Sequence, residues 1–326
     1  MTPLTVLEIC AGGGGQSLGL EAAGFEHVGA VEIDANACNT LRLNRLHWPV
    51  VEGDIRYDIT GRDYRGVDLL AGGVPCPPFS MAGRQLGSQD ERDLFPRALE
   101  LVNEARPAAV MLENVRGLAG LKFADYRKHV LLELDRLGYD SDWQLLNACD
   151  YGVPQLRPRF LLVALRRQAS RRFVWPKPLG PAPTVGKTLH DLMSSRDWSG
   201  AAEWSRKADA IAPTIVGGSL KHGGPDLGPT RAKREWRTLG VDAMGIADNA
   251  PDEETPPAFI PKLTVRMVAR LQGFPDDWRF SGRKTAAYRQ VGNAFPPPVA
   301  EAVGGSIRKA LTGQGPLQLA LMHPVR

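Results

Sequence analysis

The chain has 326 residues, 43% of them apolar and 23% charged, and a net charge of only +4. That length suffices for one large domain or for a core domain with a smaller companion, and a composition so close to globular averages excludes a fibrous or disordered chain. No apolar run approaches the roughly 18 residues that a membrane helix requires, so no membrane partner is expected. The opening MTPLTVLEIC has neither a basic start nor a small-residue cleavage site and runs straight into a strand pattern, which points to a cytoplasmic protein.

In chain order, short β-branched runs alternate with helical periods: TVLEIC, a helix over about residues 15–23, HVGAVEI, a helix over about residues 35–46, then VVEGDI, VDLLAGGV, AAVMLENV and RFLLVAL. This rhythm predicts an α/β domain on a parallel sheet over residues 1–165. From about residue 166 Pro, Gly, Arg and Trp take over (RRFVWPKPLGPAPT, GGSLKHGGPDLGPTRAKREWR), and a second, smaller domain is expected over residues 166–262. That segment holds fifteen Lys and Arg against eleven Asp and Glu, the whole of the net excess. A basic surface of this kind is either merely solvated or turned toward a polyanion. Helical patterning returns in LTVRMVARLQGF and in QVGNAFPPPVAEAVGGSIRKAL, whose prolines suit the entrance to a helix. Residues 263–326 should therefore rejoin the first domain, with a loose tail after Leu311.

The first strand runs into AGGGGQSLGLEAAGF, a glycine-rich turn that opens a helix, and Glu32 ends the second strand twenty residues after Gly12. Gly12, Gly14 and Gly15 let backbone approach a ligand, and an acidic residue at Glu32 accepts hydrogen bonds from ribose hydroxyls. The pattern suits dinucleotide and adenosylmethionine enzymes alike. Asp54, ending a third strand, is placed either to hold an adenine amino group or simply as a loop aspartate. The fourth strand ends in GGVPCPPFSMAGRQ, which sets Cys76 between prolines at the carboxyl edge of the sheet, where open α/β folds bind ligands. Flanking prolines hold that loop away from helix and favour a presented nucleophile over a packed thiol. Cys10, Cys38 and Cys149 read as small buried residues, and without Cys-x-x-Cys pairs or clustered histidines neither a disulfide framework nor a metal site is expected. The fifth strand ends in MLENV and brings Glu113 to the same edge, one strand away.

Taken together these blocks resemble the DNA cytosine-5 methyltransferases, in that family's order and over nearly the whole chain: the glycine-rich turn, Glu32, Gly53 to Ile55, the Pro-Cys loop, Glu113 to Val115, QLRPR, RLQGFPDDW and QVGNAFPPPVA. The resemblance implies a Rossmann-like, S-adenosylmethionine-dependent sheet with a target recognition domain. It implies that Cys76 is the nucleophile, that Glu113 holds the cytosine ring nitrogen, that Arg159 meets the base carbonyl and that Arg157 supports the site. It also implies that Cys10, Ala11, Ile33, Ile55, Pro75 and Leu94 line the cofactor pocket, which Gly292 and Asn293 close from the C-terminal end. Ser80 and Arg92, in the loop after Cys76, would contact DNA. Three positions depart from the family: Cys10 where Phe is usual, Pro77 where Gln is common, and Ile33 where an aromatic residue often stands. The first and third bear on cofactor stacking and leave the reaction intact, while Pro77 removes a side chain near the target base.

The chemistry accounts for the residue types independently. Carbon 5 of cytosine is a poor nucleophile, and a thiolate adding to carbon 6 turns the ring into an enamine. A carboxyl held protonated can then serve ring nitrogen 3. Such atoms are out of reach inside a duplex, so the base must be flipped out. Residues 166–262 stand where the family keeps its recognition domain, with IAPTIVGG resembling a block in which Thr214 holds backbone near the flipped base. Gly217, Gly218, Gly223 and Gly224 would let backbone approach groove edges or phosphates, and Lys221, Arg231, Lys233, Arg234 and Arg237 are the expected electrostatic contacts. Double-stranded DNA is the expected partner, with a cognate restriction endonuclease as a companion on the same site. The alternative within the family is a transfer-RNA cytosine-5 methyltransferase. A nicotinamide dehydrogenase leaves the Pro-Cys loop unexplained, an adenine methyltransferase needs a different fourth-strand block, and a non-enzymatic relative has no need of Cys76 and Glu113.

Overall fold

A computed structural model describes residues 3–75, 93–218 and 225–317. Seven strands form one sheet in the order β3-β2-β1-β4-β5-β7-β6: β1 (Leu4–Ile9), β2 (Phe25–Glu32), β3 (Val50–Glu52), β4 (Leu69–Gly73), β5 (Ala109–Val115), β6 (Tyr139–Asn147) and β7 (Pro158–Arg166). The first five pair in parallel through the helices α1 (Gly15–Ala22), α2 (Ala35–Asn44) and α3 (Phe95–Ala105), as the alternation of patterns requires. The last two correct that reading. After α4 (Ala124–Arg136), β7 inserts antiparallel between β5 and β6. The connection from β6 to β7 contains no helix of crossover length, and a short connection permits only antiparallel pairing. Strand β6 has no clear sequence signal because it is an edge strand whose YDSDWQLLN is mostly half-buried or exposed.

Successive strand residues point to opposite faces. Ala109 and Met111 join Leu161 and Val163 on the face covered by α1 and α11 (Pro297–Leu311), while Val110 and Leu112 join Leu162 and Ala164 beneath α3 and α4. The C-terminal helix thus packs on the sheet. Residues 312–317 are less loose than their composition suggests, since Gly315 is buried and its carbonyl accepts a hydrogen bond from Arg172. Beyond β7 come α5 (Arg167–Ser170), α6 (Val185–Met193), α7 (Ala201–Lys207) and α8 (Thr230–Thr238), then α9 (Val265–Leu271) and α10 (Lys284–Asn293). Leu189, Trp204 and Trp236 share one apolar cluster with Met267, Val268 and Val291, so α6, α7 and α8 pack directly with α9 and α10. Phe173 and Trp175, in contrast, pack with the sheet cluster.

The chain turns one way from β1 to β2 and β3 and the other way from β4 to β5, which makes the β1/β4 boundary a topological switch point. Crevices form there, beyond the carboxyl ends of the strands.

Candidate active site

A cavity of about 760 Å³ opens at that switch point. Its wall includes Cys10, Ala11, Gly12 and Gly15 after β1, Glu32 and Ile33 at the end of β2, Asp54 and Ile55 after β3, then Pro75, Leu94 and Asn293. A Cβ added at Gly12 would meet no protein atom within 4 Å, which leaves the turn open to a ligand. Glu32 Oε2 accepts a hydrogen bond from the Gly12 amide at 2.7 Å, and Oε1 accepts from the Ile33 and Asp34 amides at 2.9 Å. Burial pushes the Glu32 carboxyl above the usual carboxylate range, against the pull of those amides. The Asp54 carboxylate is gripped by Arg56, at 2.6 Å from Nη2, and is held below its ordinary range. Gly14 is a correction. It does not line the cavity; its φ of 87° caps α1, and a Cβ would stand 2.6 Å from Trp278 and 2.8 Å from Leu41. The glycine is required by packing behind the turn.

A second cavity, about 550 Å³, adjoins the first, and Gly73, Pro75, Glu113 and Asn293 belong to both walls. Glu113 pairs with Gly73 across β4 and β5, and a Cβ at Gly73 would stand 3.4 Å from its Oε2, so the glycine leaves room for the carboxyl. Arg159 on β7 brings Nε to 2.6 Å from Glu113 Oε1. Burial nevertheless pushes the Glu113 carboxyl up, with Arg159 and Arg157 opposing. Asn114, next along β5, donates to the Val74 carbonyl at 2.8 Å, and the Leu94 amide donates to the Pro75 carbonyl at 3.4 Å. Cys76, Ser80, Arg92 and Lys221 lie outside the described residues, as do Gly223 and Gly224. The three described thiols are all held neutral chiefly by burial: Cys10 and Cys149 are pushed up, and Cys38 reaches about 12.

Arg157 is fully buried and touches neither cavity. Its guanidinium donates to the Ile215 carbonyl at 2.6 Å, to Gly292 at 2.7 Å and to Ala294 at 2.8 Å. Beside it a buried amide chain runs from the Ile215 amide to Gln155 Oε1 (2.8 Å), from Gln155 Nε2 to Gln272 Oε1 (2.6 Å), and from Gln272 Nε2 to the Val291 carbonyl (2.7 Å). These bonds fasten the strap at residues 212–218 to the segment leading into β7 and to the C-terminal ends of α9 and α10. Arg157 therefore braces the site from outside and does not reach into it.

Residues 4–309 match the model of the C-5 cytosine-specific DNA methylases. The chain belongs to that family. It is 59% identical over 318 residues to the Type II methyltransferase M.NaeI of Lentzea aerocolonigenes, covering 97% of this chain and 77% of that protein. It is 55% identical over 313 residues to the Type II methyltransferase M.NgoMIV of Neisseria gonorrhoeae, covering 94% and 98%. A crystal structure of a prophage-encoded DNA modification methyltransferase from E. coli shares the fold with a TM-score of 0.67 at 24% identity, covering 95% of this chain and 99% of that one. The chain is accordingly a DNA cytosine-5 methyltransferase, and the DNA-acting reading prevails over the transfer-RNA one.

In this methyltransferase the residues expected to face DNA fare unevenly. Thr214 lines the second cavity and donates to the Leu156 carbonyl. Gly217 is a correction: it is buried against Gly292, where a Cβ would stand 2.4 Å from the Gly217 Cα, so its close approach is to α10 and not to a groove. Gly218 is exposed, with φ 71°, and its carbonyl accepts from Asn293 at 3.3 Å. Lys233 is half-buried, and its ammonium pairs with Asp226 at 2.8 Å. On the same helix Arg231 pairs with Glu235, whereas Arg234 and Arg237 are exposed without an ion-pair partner among the described residues. Sequence reasoning missed Arg56, Arg289 and Gln290 in the first wall and Arg116 in the second. Helical spacing back from Asn293 places Ala286, Arg289 and Gln290 on its face, a signal that was available. Among the described residues no cluster of metal-ligating side chains occurs, and no helix is long and apolar enough to cross a membrane.

Proposed function

We propose that this methyltransferase acts on a cytosine flipped out of a specific duplex site, with Cys76 as nucleophile and the second cavity as the base pocket. The observation that carries the reading is the Glu113 carboxyl, raised by burial at the junction of two cavities whose shared wall includes Pro75, the residue before Cys76. The first cavity suits S-adenosylmethionine in its open glycine turn and its paired acidic groups at Glu32 and Asp54. When bound, that group supplies an electrophilic sulfonium methyl to carbon 5 of the base. The chain's own residues make carbon 5 receptive. The Cys76 thiolate forms a bond to carbon 6, the ring electrons move toward carbon 5, and Glu113 gives its proton to ring nitrogen 3. Loss of the carbon-5 proton then expels the thiolate, ring nitrogen 3 returns its proton to the Glu113 carboxylate, and the aromatic ring is restored. Arg159 stands beside Glu113, where it can meet the base carbonyl while countering the carboxylate left after proton transfer.

We further infer that residues 166–262 carry target recognition and residues 263–326 rejoin the catalytic part. Arg231, Arg234 and Arg237 supply positive charge on α8, and a restriction endonuclease of the same site accompanies the enzyme, as the Type II names of its relatives suggest. The enzyme would work in the cytoplasm, where such DNA is. Duplex carrying 5-fluorocytosine at the target should trap the protein in a denaturation-resistant adduct, because fluorine at carbon 5 blocks the final elimination. Cys76→Ala should form none while still binding S-adenosylhomocysteine. An adduct formed by the Ala variant would sink the assignment.

A further inference from the structure

Arg289 lies on the face of α10 that lines the first cavity, one turn before Asn293, and has no part in the second. Its Nε is buried without a hydrogen-bond acceptor, and no carboxylate pairs with it among the described residues. A guanidinium in a cavity wall with no carboxylate partner keeps its charge available to an anion that enters the cavity. The other arginine in this wall, Arg56, is already committed to both oxygens of Asp54. The wall thus presents acidic groups at Glu32, Asp34, Asp54 and Glu113 and one cation without an acidic partner among the described residues.

S-adenosylmethionine carries two positive groups, its sulfonium and its ammonium, and a single negative one, the α-carboxylate. A guanidinium offers forked donors matched to a carboxylate, which an ammonium or an amide does not. We propose that Arg289 is the carboxylate-binding residue of the cofactor pocket and makes the enzyme select a ligand with an intact amino-acid end. This rests on the reading of the first cavity as the S-adenosylmethionine site. Because Arg289 touches the cofactor's far end and not its methyl, it sets affinity and leaves the chemical step to Cys76 and Glu113.

Calorimetric titration of the full chain with S-adenosylmethionine and with its decarboxylated analogue, without DNA, separates the possibilities. Wild type should bind the decarboxylated compound about tenfold to a hundredfold more weakly, the range expected for loss of a charged hydrogen-bonded pair. Arg289→Gln should weaken S-adenosylmethionine by a similar factor and leave the decarboxylated compound unchanged, with Arg289→Lys in between. Equal weakening of both ligands, or of neither, would overturn the proposal. So would a loss of affinity for duplex DNA with cofactor affinity intact, which would make Arg289 a phosphate contact. Failure of wild type to bind S-adenosylmethionine at all would instead remove the reading of the cavity on which the proposal stands.

Discussion

Glu113 is subject to opposing influences: burial favours the neutral acid, while Arg159 at 2.6 Å and the buried Arg157 favour the carboxylate. Burial prevails, so the protonated form, the donor in the proposed mechanism, persists to higher pH than in an ordinary glutamate and is lost as pH rises through that raised value. The single-turnover rate of methyl transfer should therefore fall on the alkaline side. Glu113→Gln should lower the rate by about a hundredfold to a thousandfold, as for removal of a donor to developing charge. It should also abolish the alkaline fall, because an amide has no proton to lose in that range. A Gln variant with the wild-type rate and a lowered melting temperature would assign the carboxyl a structural role. At this scale much was legible in the sequence. Strand periodicity alone takes Glu113 and Pro75 to one sheet edge. The pairing of Arg159 with Glu113 was not legible, because it depends on β7 running antiparallel and bringing Arg159 opposite Val115.

The elements around the site are held by bonds that span large sequence separations. Arg157 reaches a strap 58 residues away and the end of α10 135 residues away, and nothing local in QLRPR announces either partner. Replacing it by Met would leave the carbonyls of Ile215, Gly292 and Ala294 without their donor in a buried place. The cost should be about 3–5 kcal/mol and the melting temperature should fall by roughly 5–10 °C. Lysine, which lacks the fork, should recover only part of it. An Arg157→Met protein as stable as wild type would show that the strap is held by the Gln155 and Gln272 chain instead. Helix α8 shows the reverse limit of sequence reading. Its charges were visible, but not which of them are already paired. Neutralising Arg234 and Arg237 together should flatten the salt dependence of DNA binding by about one to two units of slope. Lys233→Met, which breaks the pair with Asp226, should lower stability and leave that slope unchanged. The opposite pattern would mean that α8 presents a different face to the phosphates.

At the scale of the molecule, the α/β rhythm of the first half was readable because each strand and helix announces itself locally. Residues 166–262 stand out only as a break in that rhythm, since their helices are short and separated by Pro and Gly. If that segment carries recognition, as proposed, its packing decides where an exchange between enzymes should begin. Phe173 and Trp175 belong to the sheet cluster, while Leu189, Trp204 and Trp236 bury themselves against Met267, Val268 and Val291 of α9 and α10. A segment exchange that begins at residue 166 would therefore remove two aromatic residues from a core the donor segment was not shaped to fill. Loss of buried aromatic contacts costs about 3–5 kcal/mol per residue when nothing replaces them. An exchange with a relative of different specificity beginning near residue 181 and ending at residue 262 should give the more stable chimaera, read as melting temperature. Bisulfite sequencing of DNA from cells expressing it should show methylation at the relative's site, and the 5-fluorocytosine adduct should form on that site as readily as the parent's does on its own. The preferred site is expected to move as a unit, because residues 212–218 and α8 travel together in the exchange while Glu113, Arg157 and Arg159 stay behind. A folded, active chimaera that still methylates the original site would place recognition outside residues 181–262.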